Sequence, residues 1–312
     1  MGDQAQARRL GAVPPPFAGE SFVSWVDTVA VALRLSRVAA LSTLGLLGTA
    51  GFSSYQFRLS LEELAEVHQR TGRRPVQVER MLFSFYATTA LPQLSPDGGR
   101  SWRSNDPWLR REHSAACPLC LQASGGRWLL SWRLKWAFLC ADHLVYLVDR
   151  CPRCHLGLYW RLAATGAGQR THCTRPGGRH HGRGRRLGAQ VCGFPVAEIP
   201  ATSVEDEEAV HVQRRVSALL TPADASHNEE SRRTLQRLGR LVHDFAGRTT
   251  AAGLLDRMES AVVRAVHESQ GQPGQPPLSG ILERGSPTAI SALVRIAARI
   301  ALLDTPGAGA PG

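Results

Sequence analysis

Lysine is almost missing from this chain: Lys135 is the only one in 312 residues. Arginine replaces it throughout, a bias that a GC-rich genome imposes by itself and that carries little weight alone. Cysteine is missing everywhere except between Cys117 and Cys192, where all seven lie. Carboxylates are missing between Asp149 and Glu198. No long apolar run is present. The uncharged stretch 38–57 is interrupted by Ser42, Thr43, Thr49, Ser53, Ser54 and Gln56 and loosened by Gly45, Gly48 and Gly51. A bilayer span needs about 20 predominantly apolar residues, so this stretch reads as a buried helix followed by a loop. The N-terminus lacks the basic-then-apolar pattern of an export signal. These absences point to a soluble, cytoplasmic protein with no membrane association. No phosphate-binding G-x-x-x-x-G-K-[ST] loop and no G-x-S-x-G elbow occurs. His227-Asn-Glu229 follows all the cysteines, the reverse of the order a zinc deaminase requires. The expectation is a protein without catalytic activity of its own.

What is present is a set of metal ligands. The cysteines read Cys117-x2-Cys120, Cys140-x2-His143, Cys151-x2-Cys154, then Cys173 and Cys192 singly. With His143 they make eight, the number two tetrahedral zinc ions need, and pairs on tight knuckles are the usual form of structural sites. Disulfides are the competing reading, disfavoured because such scaffolds are usually short and secreted. A cross-braced arrangement would join Cys117/Cys120 to Cys151/Cys154 and Cys140/His143 to Cys173/Cys192. Sequential sites fit the spacing better: Cys117, Cys120, Cys140 and His143 for the first, Cys151, Cys154, Cys173 and Cys192 for the second. His172, His180 and His181 are spare. Both sites are filled by protein, which predicts two structural Zn2+ ions and no open position for chemistry.

The formal charge is +11, and seven thiolates on two divalent ions would lower it to about +8. The surplus points to an anionic partner. It is concentrated in the acid-free interval, where Arg170, Arg175, Arg179, Arg183, Arg185 and Arg186 lie around a glycine-rich stretch between Cys173 and Cys192. A basic loop tethered by one zinc can follow a phosphate backbone, so these six are the candidate nucleic-acid contacts and DNA the candidate ligand. A solvated insertion is the plainer alternative.

The rest of the chain reads as helix. Residues 1–16, ending in Pro14-Pro15-Pro16, form an expected disordered leader. Residues 17–112 form an N-terminal helical domain. Val23, Val26, Val29, Ala30 and Leu33 mark its first helix, with Ser21 or Ser24 as cap. A second helix begins at Ser60 with Leu61, Leu64, Ala65 and His68 on one face and ends at Thr71-Gly72. Helical spacing then restarts at Val78, Met81, Leu82 and Phe85, which gives a helix-turn-helix-like pair. Residues 113–200 form the tandem zinc-binding domain. In it Trp128, Trp132 and Trp136 fit helix or strand and are expected to pack beside the metal. Residues 201–269 form a C-terminal helical region, opened by Ser203-Val-Glu-Asp206 as a capping box. Residues 270–312 comprise a linker, a short helix over about 287–303 and a disordered tail. The fold class is mainly α, with a small zinc-stabilised α+β module.

Two blocks carry a family resemblance. Pro15-Pro16-Phe17-Ala18-Gly19-Glu20-Ser21-Phe22-Val23-Ser24-Trp25 is similar to a P-x-x-G-E-S-x-x-S-W opening. Cys117-Pro-Leu-Cys120-Leu121, Trp128, Trp132, Cys140-x2-His143, Leu147 and Cys151-Pro-Arg-Cys154 form the second block. Together they resemble TniQ, the target-selection proteins of bacterial transposons that include TnsD relatives. The resemblance implies zinc at those ligands. It also implies an adaptor that links a target-recognition complex to an AAA+ ATPase and a transposase, and the chain could pair with a second copy of itself. The family's last ligand pair is close together, whereas eighteen residues separate Cys173 from Cys192. A stand-alone zinc-finger regulator that binds DNA would look much the same.

Overall fold

The computed structural model describes residues 9–11, 13–46, 55–92, 94, 106–110, 113–158, 171–175, 191–248, 258–269, 281 and 285–303. The mainly helical expectation holds, with a small module rich in cysteine at the centre of the chain. None of the described helices is long and apolar enough to cross a membrane.

The first helix, α1 (Phe22–Ala32), starts after Ser21. Neither serine caps it in the ordinary way, because both hydroxyls are turned to other partners. Val23, Val26, Val29 and Ala30 are buried as their spacing predicts, together with Trp25. α2 (Arg37–Thr43) is capped by the Ser36 hydroxyl and packs on α1, and the buried Asp27 of α1 pairs with Arg37. α3 (Leu61–Thr71) has a full capping box between Ser60 and Glu63 and stops at Gly72, left-handed at φ 69°, whose amide donates back to His68 O. Its inward face is Leu64, Val67 and Thr71; Leu61 is 80% exposed and Ala65 faces solvent. The true face is therefore one residue out of phase with the expected one, because Val67, three residues beyond Leu64, is the side chain that joins the core of α1. α4 (Pro75–Glu79) has only five residues and gives way to a 3-10 turn at Phe83–Tyr86. Val78, Met81 and Leu82 all point into the same core as Trp25 and Leu64.

The expected leader is partly built into this core. Val13 is buried, the Leu10 amide donates to Arg70 O, and Pro14 O accepts from the Trp25 indole at 3.0 Å.

The C-terminal helices form a second core. α6 (Glu207–Leu220) follows the metal-ligand segment and its short helix α5 (Pro118–Ser124). Asp206, not Ser203, caps α6 by accepting from the Glu208 amide; Ser203 instead pairs with Val145 in an extended bridge. α7 (Ala225–Arg248) buries Leu235, Leu238 and Val242. α8 is Ser260–Ser269 and α9 is Pro287–Leu303. α9 is apolar on nearly every side and buried on nearly every side, as a central helix must be. It packs on α6, α7 and α8. Asp206 and Glu208 at the start of α6 are joined by Arg295, and Glu208 also by Arg299.

This core also takes Phe83, Tyr86, Leu91 and Trp108 from the N-terminal half and Trp136 and Phe138 from the middle. Trp136 therefore leaves the other two tryptophans. It stacks flat on Trp108, centroids 3.6 Å apart at 11°, while Trp128 and Trp132 stay with the cysteines. Gln213 of α6 makes the tie specific. Its buried amide accepts from the Phe138 and Leu139 amides at 2.9 and 3.2 Å and donates to Trp136 O at 3.2 Å. Gln213→Leu would leave those three backbone groups without partners, so it is expected to cost about 3 kcal/mol, read from urea unfolding. A wild-type midpoint in that variant would show the clamp to be dispensable.

Candidate metal centres

Cys117 begins the first site as the N-cap of α5; its sulfur accepts from the Cys120 amide at 3.5 Å, and Pro118 occupies the first helical position. The helix ends at Gly125, left-handed at φ 65°. Cys140 and His143 sit at the tip of a tight hairpin formed by β1 (Leu139–Cys140) and β2 (Val145–Tyr146), with Leu144 left-handed at φ 52°. The hairpin brings its two ligands to the knuckle. Cys120 Sγ lies 3.6 Å from Cys140 Sγ and 3.2 Å from His143 Nδ1, and Nδ1 lies 3.5 and 3.7 Å from the sulfurs of Cys140 and Cys117.

The second site begins with Cys151-Pro-Arg-Cys154, a turn closed by His155 N donating to Cys151 O, His155 being left-handed at φ 59°. Cys173 and Cys192 are far apart in sequence but adjacent in space, because their flanks are joined by an antiparallel bridge between His172 and Pro195 and by the backbone bonds around it. The Cys173 amide donates to Phe194 O, the Gly193 amide to Cys173 O and the Cys192 amide to Arg175 O. The two hydrogen-bonded segments do the work of a knuckle, which explains how an eighteen-residue separation leaves the site intact. Cys151 and Cys192 sulfurs are 3.6 Å apart, and Cys154 and Cys173 sulfurs 3.7 Å.

In each set all four donor atoms lie within 4.8 Å of one another. A tetrahedron with Zn–S of about 2.3 Å has edges of about 3.8 Å between sulfurs and about 3.6 Å between sulfur and nitrogen. The donor separations fall close to these edges, so both sets fit a tetrahedral ion. The pairing is sequential rather than cross-braced. His172 is not in either set; its ring faces the Thr171 hydroxyl at 2.9 Å.

Charge explains why these clusters call for a cation. In the first set, hydrogen bonds from the Cys117 and Cys120 thiols hold Cys140 far below the ordinary thiol range. The contact with Cys117 pushes Cys120 far above it, helped by the neighbouring Cys140 and by burial. In the second, burial drives Cys173 upward. Thiols this close share out their protons instead of ionising together, and a divalent ion removes that obstacle.

The module is braced from both sides. Trp128 and Trp132 meet edge to face at 6.0 Å within the cluster that contains Cys117, Cys140, Cys151, Cys173 and Cys192. Ala116 and Val148 exchange amide hydrogen bonds, tying the segment before the first site to the one before the second. Close by is a buried basic group. Arg110 and Arg133 are both depressed to about 10 by burial, and His113 is pushed down to about 3 by burial and by these neighbouring cations.

The Gly19-Glu20-Ser21 block is a weld between α1 and this module. The Glu20 carboxylate is fully buried and accepts from Phe17 N at 2.9 Å, Ser24 Oγ at 2.8 Å, Thr28 Oγ1 at 3.3 Å and Arg127 Nη1 at 3.1 Å. Ser21 Oγ donates to Trp128 O, and the Trp128 amide donates to Ser24 Oγ. Both hydroxyls that look available as helix caps are thus spent on the tryptophan segment. Spacing cannot reveal this, since the partners are more than a hundred residues apart.

The candidate nucleic-acid residues fare differently. Arg170, Arg179, Arg183, Arg185 and Arg186 lie outside the described residues. Arg175 lies within them and braces the fold, donating from Nε to Gly157 O at 2.8 Å. Arg153 donates to Cys192 O at 3.0 Å and lies over the Phe194 ring. Part of the acid-free arginine run thus serves the second metal module itself.

Residues 12–147, a little under half of the chain, match the model of the TniQ family. The match covers the Glu20 weld and the whole first ligand set and stops before the second. No curated protein matches the chain.

Proposed function

We propose, from the premise that residues 12–147 belong to the TniQ family, that this protein is a non-catalytic, zinc-binding accessory factor of DNA transposition that joins target-site recognition to an AAA+ ATPase and its transposase. The family match carries the reading. The ligand geometry supports Zn2+ as the ion, since sulfur-rich tetrahedral sites closed by protein favour it and leave no open position for substrate. The ions then have a structural role and hold the ligand-bearing turns in fixed positions. Four of these turns carry an exposed apolar side chain: Leu119 between Cys117 and Cys120, Leu144 after His143, Leu156 after Cys154 and Val191 before Cys192. Scattered singly such residues mean little; carried on rigid metal knuckles they suit a docking surface. Trp25 does not contribute to it, being fully buried.

The test is capture of the AAA+ ATPase encoded beside this chain, with ATP and DNA present. Wild type is expected to retain the ATPase, and paired replacement of Cys140 and His143 to abolish retention. Leu119→Ser with Leu144→Ser, which leave the ligands in place, should weaken it at least tenfold. Failure to capture any neighbouring ATPase or transposase, alongside tight binding to a promoter, would make the chain a regulator.

A further inference from the structure

Away from the metal module, α7 carries a second arginine-rich surface among the described residues. Its buried stripe is Ser231, Leu235, Leu238, Gly239 and Val242. At 100° per residue, Arg233, Arg237 and Arg240 fall within an arc of about 60° on the opposite side, pointing away from the core. All three are exposed, Arg233 at 75% of its side chain, where it also donates to Glu229 at 2.8 Å. No carboxylate lies on the helix between Glu230 and Asp244; Arg232, on the flank of the stripe, pairs with Glu229. A solvated helix face ordinarily alternates its signs, and like charges at i, i+4 and i, i+3, as here, destabilise a helix. The helix keeps them nonetheless.

The stripe is also held in place. Gly239 lies against the Trp108 indole, where an added Cβ would come within 3.1 Å of Nε1, and Trp108 is stacked on Trp136. The side of α7 facing the core is seated on the tryptophan pair, so the arginines are presented in a fixed direction relative to the metal module.

We propose that the Arg233–Arg237–Arg240 stripe of α7 is a binding surface for the phosphate backbone of duplex DNA, independent of base sequence. Charge complementarity selects a polyanion, and the span of about 10 Å from Arg233 to Arg240 at 1.5 Å per residue fits several phosphates in succession. The choice of duplex DNA as that polyanion rests on the transposition reading above. The stripe lies outside the segment that matches the family model.

Fluorescence anisotropy of the full chain on a labelled duplex of about 30 base pairs and arbitrary sequence, titrated across salt, provides the test. The triple variant Arg233→Gln, Arg237→Gln, Arg240→Gln should bind at least tenfold more weakly at low salt. Its log–log salt slope should be shallower by about 2.7, at about 0.9 for each phosphate that the variant no longer neutralises. The corresponding triple lysine variant should keep the slope. Unchanged affinity and slope in the glutamine variant, with wild-type circular dichroism and metal content, would overturn the proposal. Tighter binding of the wild type to duplex RNA than to DNA would overturn the choice of ligand. Absence of the slope effect while the ATPase is still captured rejects this surface alone; a clear slope effect with no ATPase captured rejects the accessory-factor reading alone.

Discussion

Chelation of the purified protein is expected to release two zinc ions and to unfold the central module, with loss of the near-ultraviolet circular dichroism of Trp128 and Trp132. The module has little else to stand on. Among the described residues its regular structure is one hairpin with two residues in each strand, one short helix and single 3-10 turns. Five of its seven cysteines are themselves members of its buried cluster. Metal binding in such modules is folding free energy of about 10 kcal/mol or more, comparable with the whole stability of an ordinary domain at about 5–15 kcal/mol. Cys120→Ser should reproduce part of the effect by losing one ion. Restoring zinc should restore the signal, and magnesium, a hard cation that prefers oxygen, should not. An unchanged signal after chelation would show that the ligands pack without an ion.

Glu20→Ala should have the second largest effect. It removes a fully buried carboxylate that gathers two side-chain hydroxyls, a backbone amide and the Arg127 guanidinium. Breaking a buried pair by deleting one partner leaves the other groups unsatisfied, at about 3–5 kcal/mol. Arg127 is partly exposed and can regain water, which favours the lower end. Glu20→Gln keeps the shape and should cost less. Hydrogen exchange offers the sharper readout: protection should fall in α1 and at Trp128 together, because they share these bonds. Loss confined to α1 would mean that the block is only a local cap and not a weld.

The same contrast explains how much can be read from the sequence. Both ligand sets are legible because metal coordination imposes residue type and short spacing, which survive in one dimension. The helices at 22–32, 61–71 and 287–303 are legible from periodicity and from the Ser60 and Gly72 signals. The face of α3 is not, because Leu61 and Val67 are equally apolar, and only the position of α1 decides between them. Spacing alone puts Trp136 on the metal side with Trp128 and Trp132; its partner Trp108 belongs to a distant segment. Gln213 gives no signal, since nothing marks a glutamine whose partners are backbone groups 74 to 77 residues away. The family block at Glu20 is recognisable as a pattern, while its physical purpose emerges only from its contacts with the tryptophan segment.

Native mass spectrometry of the intact chain tests the central claim, two closed structural zinc sites, most directly. Two zinc ions per chain are expected. Cys120→Ser and Cys154→Ser should each hold one, and the double variant none. A wild-type mass showing one zinc ion or none would contradict the claim.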